Sequence, residues 1–282
     1  MLLAALAPGA GIAQPFDEAD SANRPLIERS YLIAPERIGE FALDDVLYDE
    51  ANRYSGARFR YTLPGHQEMR FDVFVYPAGR MPRAKAIEPG MTEFKAGIQQ
   101  AEQAGYYRDV RILGEESFPL EAGQQAAPRA NSDDKETRLI ALINMAKPVG
   151  QRLRLQYLQL PGEYPMHSNG YLFHRQLFYF KVRISAARDR IDDAGFLSLA
   201  DRGARELVSA IEVLNLGGCA NAVIEVDPKA DPEAFAEVLV RRSAEIQGEN
   251  CIGKPDAEQL ARKSAAARVV TIEFSPNDWK AR

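Results

Sequence analysis

The sequence predicts an α+β protein: a largely antiparallel sheet flanked by helices, α/β/α sandwich-like, with a small C-terminal α+β appendix. Three observations carry this reading. Residues 56–63 and 70–76 alternate apolar with polar and are joined by the turn Pro64-Gly65-His66-Gln67, the pattern of a hairpin and so of antiparallel pairing. Residues 90–107 and 196–214 carry apolar residues at helical spacing and interrupt the strands in only two places. The regular βαβ alternation of a dinucleotide-binding fold is missing.

The elements follow in order. Residues 41–48 form a short mixed strand. In residues 56–63 the side chains of Phe59, Tyr61 and Leu63 share one face, and in residues 70–76 Phe71, Val73 and Val75 oppose Asp72, Phe74 and Tyr76. Met91, Phe94, Ile98 and Ala101 give the first helix its stripe. Residues 110–113 and 138–145 read as strands around a polar stretch, 121–137, with no large apolar residue. Residues 151–159 alternate cleanly. Residues 171–184 make the longest strand candidate, with Phe178, Phe180, Val182 and Ile184 inward and His174 on the face of Phe178. In the second helix Phe196, Ala200, Ala204, Leu207, Val208, Ile211 and Leu214 fall on one stripe, Asp192 and Asp193 precede it, and Gly217-Gly218 stops it. The tail adds a strand at 222–226, a helix starting at Asp231-Pro232-Glu233 with apolar Phe235, Val238, Leu239 and Ile246, an Ala-rich helix at 255–267, and a closing strand at 269–274.

Four segments result: a truncated signal-peptide-like stretch (1–13), a flexible leader (14–30), a main α+β domain (31–217), and a small strand-helix-helix-strand appendix (218–282). The first stretch is a short apolar run ending in small residues, with cleavage expected after Ala13, and it lacks a basic n-region. The alternative is an ordinary terminus. Cys219 and Cys251 are the chain's 2 cysteines and sit at the ends of the appendix's first half, which suits a disulfide; two unrelated buried thiols or a reactive one are the alternatives. Both features point to a periplasmic or secreted protein. No apolar run is long enough to span a membrane.

With Lys+Arg 35 and Asp+Glu 40 the net charge is -5, which disfavours nucleic acid as a partner unless a local basic face exists. The best basic-aromatic stretch, residues 53–61, reads more simply as a strand with Phe59 and Tyr61 inside and Arg58 and Arg60 in solvent. Phosphate-binding, nucleophile-elbow, zinc-protease and calcium-loop motifs are absent, so no cofactor is expected and the easily read enzyme classes are excluded. Adjacent acids such as Asp44-Asp45 and Asp192-Asp193 read as strand and capping residues. Ser132-Asp133-Asp134-Lys135 matches a four-residue catalytic pattern with no companion motif. The stretch 160–170 presents Tyr164, Met166 and His167 between prolines and glycines, a candidate partner-binding loop or a local plug.

The order of an early hairpin (56–76), a helix from Gly90, a meander, a long aromatic strand (173–184) and the helix 196–214 resembles the Mog1/PsbP-like α/β/α sandwich of bacterial periplasmic proteins and lipoproteins, over about residues 31–216. That resemblance implies a binding or assembly module and carries over no catalytic residue. The leading expectation is therefore a non-enzymatic protein-binding module using sheet edges or the 160–170 loop. One alternative is a carrier of a small apolar ligand in a pocket lined by Phe173, Phe178 and Tyr179. Another is a metal-dependent enzyme using His167 and His174, with Glu163 as a third ligand.

Overall fold

In the computed structural model, residues 25–121, 148–225, 229, 231–254, 256–275 and 278 are described. The signal-like segment, the start of the leader, the polar stretch beyond Glu121, the strand expected at 138–145 and Ser132 to Lys135 lie outside them.

Twelve strands and four α-helices occur among the described residues. In chain order they are β1 (Arg29–Pro35), β2 (Arg37–Ile38), β3 (Phe41–Tyr48), β4 (Ala57–Thr62), β5 (Met69–Pro77), α1 (Arg83–Gln103), β6 (Tyr107–Pro119), β7 (Val149–Gln159), β8 (Tyr164–Arg175), β9 (Phe178–Ala187), α2 (Asp193–Ala210), β10 (Glu212–Leu216), α3 (Pro232–Gly248), β11 (Cys251–Ile252), α4 (Ala257–Ser264) and β12 (Ala267–Glu273). Eight strands form one sheet in the order β2-β3-β4-β5-β9-β8-β7-β6, and four form a second, β11-β10-β1-β12. Every pairing in the large sheet is antiparallel. The α+β expectation holds.

Burial follows strand parity. On one face of the large sheet Phe59, Tyr61, Phe71, Val73, Tyr171, Phe173, Phe178, Phe180, Val182 and Ile184 are all at 0% exposure and share a core with α2 and the inner face of the small sheet. Burying a side chain of this size contributes about 1.5–3 kcal/mol. The opposite face packs Leu153, Tyr157, Leu172 and Tyr179 against Met91, Phe94 and Ile98 of α1. Tyr31, Ile33 and Leu214, on the outer face of the small sheet, pack with Leu260 of α4. Helix α2 begins where Asp192 accepts from the Gly195 amide at 2.7 Å, satisfying an N-terminal donor. Helices α3 and α4 are capped in the same way by Asp231 and Asp256.

Several expectations are corrected. The stretch 171–184 is two strands, β8 and β9, joined at Gln176 and Leu177, both with positive φ (53° and 66°). Helix α2 ends at Ala210, and residues beyond it turn into β10 because Val213 is needed beside Leu32 in the small sheet. The leader is shorter than expected: Ile27 and Ser30 are buried, and β1 lies at the centre of the small sheet. Helix α1 starts before Gly90 and runs across Pro89. Residues 222–225 have no regular structure. The expected break at 217/218 is crossed by pairing, since β12 bonds to β1 and β11 to β10.

Candidate docking face

The outer face of the large sheet is built by alternation. In β4 the odd positions point inward, so Arg58 and Arg60 point out; in β5 the outward residues are Arg70, Asp72, Phe74 and Tyr76; in β9 they are Tyr179, Lys181 and Arg183. Register then aligns them. Arg60 lies opposite Asp72, and Asp72 opposite Arg183; Arg58 lies opposite Phe74, and Phe74 opposite Lys181. Helix α1 packs over β6, β7 and β8, and no described helix packs over β3 and β4 on this side.

The result is a surplus of cations. Arg60 Nε donates to Asp72 Oδ1 at 2.9 Å, and the same carboxylate lies 3.4 Å from Arg70 Nε and 3.9 Å from Arg58 Nε. Arg58 Nη2 donates to Asp45 at 2.5 Å. Each guanidinium offers five N–H groups in a planar fork, more than the shared carboxylates accept. Arg58 Nε and Arg183 Nη2 are buried without a hydrogen-bond partner. Lys181 Nζ sits over the rings of Phe74, Tyr76 and Phe94 at 5.0, 5.5 and 5.4 Å. Burial lowers its pKa from the usual lysine value, against the pull of Glu93 on α1. Arg183 lies over Tyr107 and Tyr157. Leu47, 58% exposed, stands opposite Arg58 on β3. Of the strand expected over residues 53–61, the alternation is present from Ala57, whereas Glu50–Ser55 forms a 3-10 helix, and three-dimensional pairing adds the basic neighbours that the linear stretch lacks.

The loop residues do not form one surface. Residues 160–163 are the β7–β8 turn, with a cis bond before Pro161, and Tyr164 already belongs to β8. Tyr164 is 62% exposed, Met166 packs toward the α1 side, and His167 is buried on the other side, stacked on Phe196 at 5.1 Å. The His167 Nδ1 is 3.3 Å from Asp193, yet burial outweighs that carboxylate and lowers the imidazole pKa below the usual 6.5. The space bordered by His167, Asn169, Asp193 and Phe196 is only about 10 Å³, at the lower limit for one water.

His167 and His174 do not meet. They are seven positions apart on β8, so they point to opposite faces. His174 contacts the Gly79 carbonyl and lies edge-on to Tyr179, across from Phe178's face, because the hairpin turn shifts parity between β8 and β9. Glu163 pairs with Arg108 at 2.9 Å. Among the described residues no group of three or more His, Cys, Asp or Glu can hold a metal ion. The expected ligand pocket is filled: Phe173 and Phe178 are fully buried in the α2-side core, while Tyr179 faces α1 and donates to the Ala86 carbonyl at 2.6 Å. His66 lies in the β4–β5 turn, 3.0 Å from Glu68.

The Cys219 and Cys251 sulfur atoms are 2.15 Å apart, with Cα atoms at 5.9 Å, within disulfide range. No helix of the described residues is long and apolar enough to cross a membrane.

No protein-family model matches the chain, and no curated protein matches it. Among solved structures the chain is similar to the solution structure of cyanobacterial PsbP (CyanoP) from Synechocystis sp. PCC 6803, at 14% identity and a TM-score of 0.37, over 74% of this chain and 98% of that one.

Proposed function

We propose that the protein is a non-enzymatic binding or assembly module, working in the periplasm or outside the cell, that docks an acidic partner protein on the face of β3, β4 and β5 that α1 leaves open. One observation carries the reading: Arg58, Arg60 and Arg70, with Arg183 and the partly buried Lys181 beside them at the edge of α1, outnumber the carboxylates of Asp45, Asp72 and Glu93 that face them, in a chain whose net charge is -5. Paired guanidinium N–H groups suit carboxylates, which they bind through two parallel bonds. Leu47 supplies an apolar anchor at the margin. The aromatic rings of the face are already capped by Lys181 and Arg183, so they offer little area on which a base could stack. The compartment is supported by the cysteine pair at bridging distance and by the signal-like start of the sequence.

The test is native mass spectrometry of the protein drawn gently from its own cells. A partner should accompany the wild-type chain, leave as salt rises, and be lost from the Arg60→Gln/Arg70→Gln double variant. It should stay with Lys95→Gln, whose charge is on α1 and paired with Glu115. Retention that ignores both salt and the double substitution would refute the reading.

A further inference from the structure

Among the described residues, the large sheet carries only a short strand, β2, beyond β3. Strand β2 is two residues long and meets β3 only at Phe41 and Ala42, with one more bond from the Leu43 amide to the Glu36 carbonyl. Beyond Leu43, no described strand pairs the outer side of β3. That lane opens into a groove of about 990 Å³. It is lined by Pro35, Glu36 and Arg37, by β3 from Ala42 to Val46, and by the end of α4 with the start of β12.

Side-chain burial reports the same gap. Phe59 and Tyr61 on β4, with a strand on each side, are at 0% exposure. Leu43, Val46 and Tyr48 on β3 pack against the same core but remain only partly buried. A neighbour at the usual strand spacing of about 4.8 Å would cover them. The open stretch of β3, residues 44–48, is about 17 Å long at about 3.4 Å per residue.

We propose that this groove takes an extended polypeptide segment, added as a strand along β3 in the lane that β2 leaves. Main-chain N–H and C=O groups repeating along a strand are matched by another peptide backbone and not by a sugar or a lipid. The segment's alternate side chains are apolar, since they lie over Leu43, Val46 and Tyr48. Charges at the rim are mostly spent: Arg268 lies 3.7 Å from Glu36, Lys263 2.6 Å from Glu212, and Asp45 is held by Arg58. Affinity therefore comes from the ladder and from the partly buried Leu43 and Val46 rather than from ion pairs. This inference stands apart from the basic face, which uses side chains on the sheet surface.

The test uses a pool of nine-residue peptides alternating a β-branched residue with a varied polar one, applied to the full chain, with amide exchange as the readout. Binding is expected to slow exchange at 44–48 at least tenfold. Alternate N-methylation along one edge of the best peptide should abolish this, while methylation along the other edge should leave it intact. The protein itself is unaltered, so misfolding cannot imitate the loss. The Arg60→Gln/Arg70→Gln variant should protect 44–48 equally well, which separates this idea from the docking face. Three outcomes would overturn the proposal: no protection at 44–48, equal binding by both methylated forms, or protection that grows with protein concentration alone, which would make a second copy the occupant.

Discussion

Replacing both Cys219 and Cys251 by alanine is expected to destabilise the protein by an amount that the loop length sets. The two residues are 32 apart in sequence. In the chain-entropy model a bridge closing such a loop removes about 12 cal/mol/K from the unfolded chain, or about 3.7 kcal/mol at 25 °C. Local packing offers little to replace it. Helix α3 fills most of the loop, and none of its described residues is buried. Strand β11 holds the far end by a two-residue parallel pairing with β10. Cys219, in contrast, is buried in the main core. The bridge thus ties a lightly packed excursion to the core. Loss of about 3.7 kcal/mol corresponds to a fall in melting temperature of about 7–15 °C. Thermal and urea unfolding of the wild type, the double variant and the dithiothreitol-treated wild type would measure it, with limited proteolysis reporting on α3. Treated wild type and variant should agree, and cleavage within α3 should precede global unfolding. Equal midpoints for all three samples, together with two titratable thiols in the untreated protein, would refute the reasoning.

Four further outcomes are expected. His167, whose pKa burial holds below 6.5 despite Asp193, carries fewer protons folded than unfolded, so stability should rise with pH through the mildly acidic range and decline as pH falls below about 6.5; His167→Gln should flatten that slope in urea midpoints taken between pH 5 and 7.5. A Cβ at Gly170 would lie 2.3 Å from Phe94 Cζ, so Gly170→Ala should push α1 off the sheet at a cost of about 1–3 kcal/mol in denaturant titration. The Tyr171 hydroxyl donates to Asp201 at 2.7 Å and accepts from Asn169 at 3.1 Å, so Tyr171→Phe should cost about 2–3 kcal/mol by stranding a buried amide. Asp45→Asn removes one of the face's carboxylates and releases Arg58; calorimetry should show the acidic partner bound several-fold more tightly at low salt, an effect of about 1 kcal/mol.

Much of the fold is legible because parity and helical stripes are local. The hairpin 56–76 and the faces of Phe59, Tyr61, Phe71 and Val73 are as the alternation implies. What escapes is also physical. Two-residue hairpins usually announce themselves with Asn-Gly or a glycine at positive φ; here Gln176 and Leu177 occupy those positions, and an unbroken aromatic run hides the turn. Ile211 and Leu214 fit the helical stripe of α2, so only the fold distinguishes a continued helix from β10. The docking face is illegible for a different reason. Arg58 and Arg60 are visibly outward, but Arg70, Lys181 and Arg183 join them only because β5 lies between β4 and β9. Strand order is set by long-range pairing, and no window of sequence contains it.

Strand β3 links the two proposed surfaces. Its outward Asp45 lines the groove and also accepts from Arg58 on the docking face. A carboxylate in that position is shared: drawn toward a segment in the groove, it leaves Arg58 with only the 3.9 Å contact to Asp72. The face would then gain positive charge as the groove fills. On these two proposals, binding in the groove and on the face would be coupled through Asp45, and thermodynamic linkage would make the coupling reciprocal. A partner that offers an extended apolar segment next to an acidic one would use both surfaces at once, with the second contact made at the high local concentration the first provides. The same chemistry disfavours partners that offer one without the other. The β3–β4 register breaks between Leu43 and Asp45, next to this shared carboxylate.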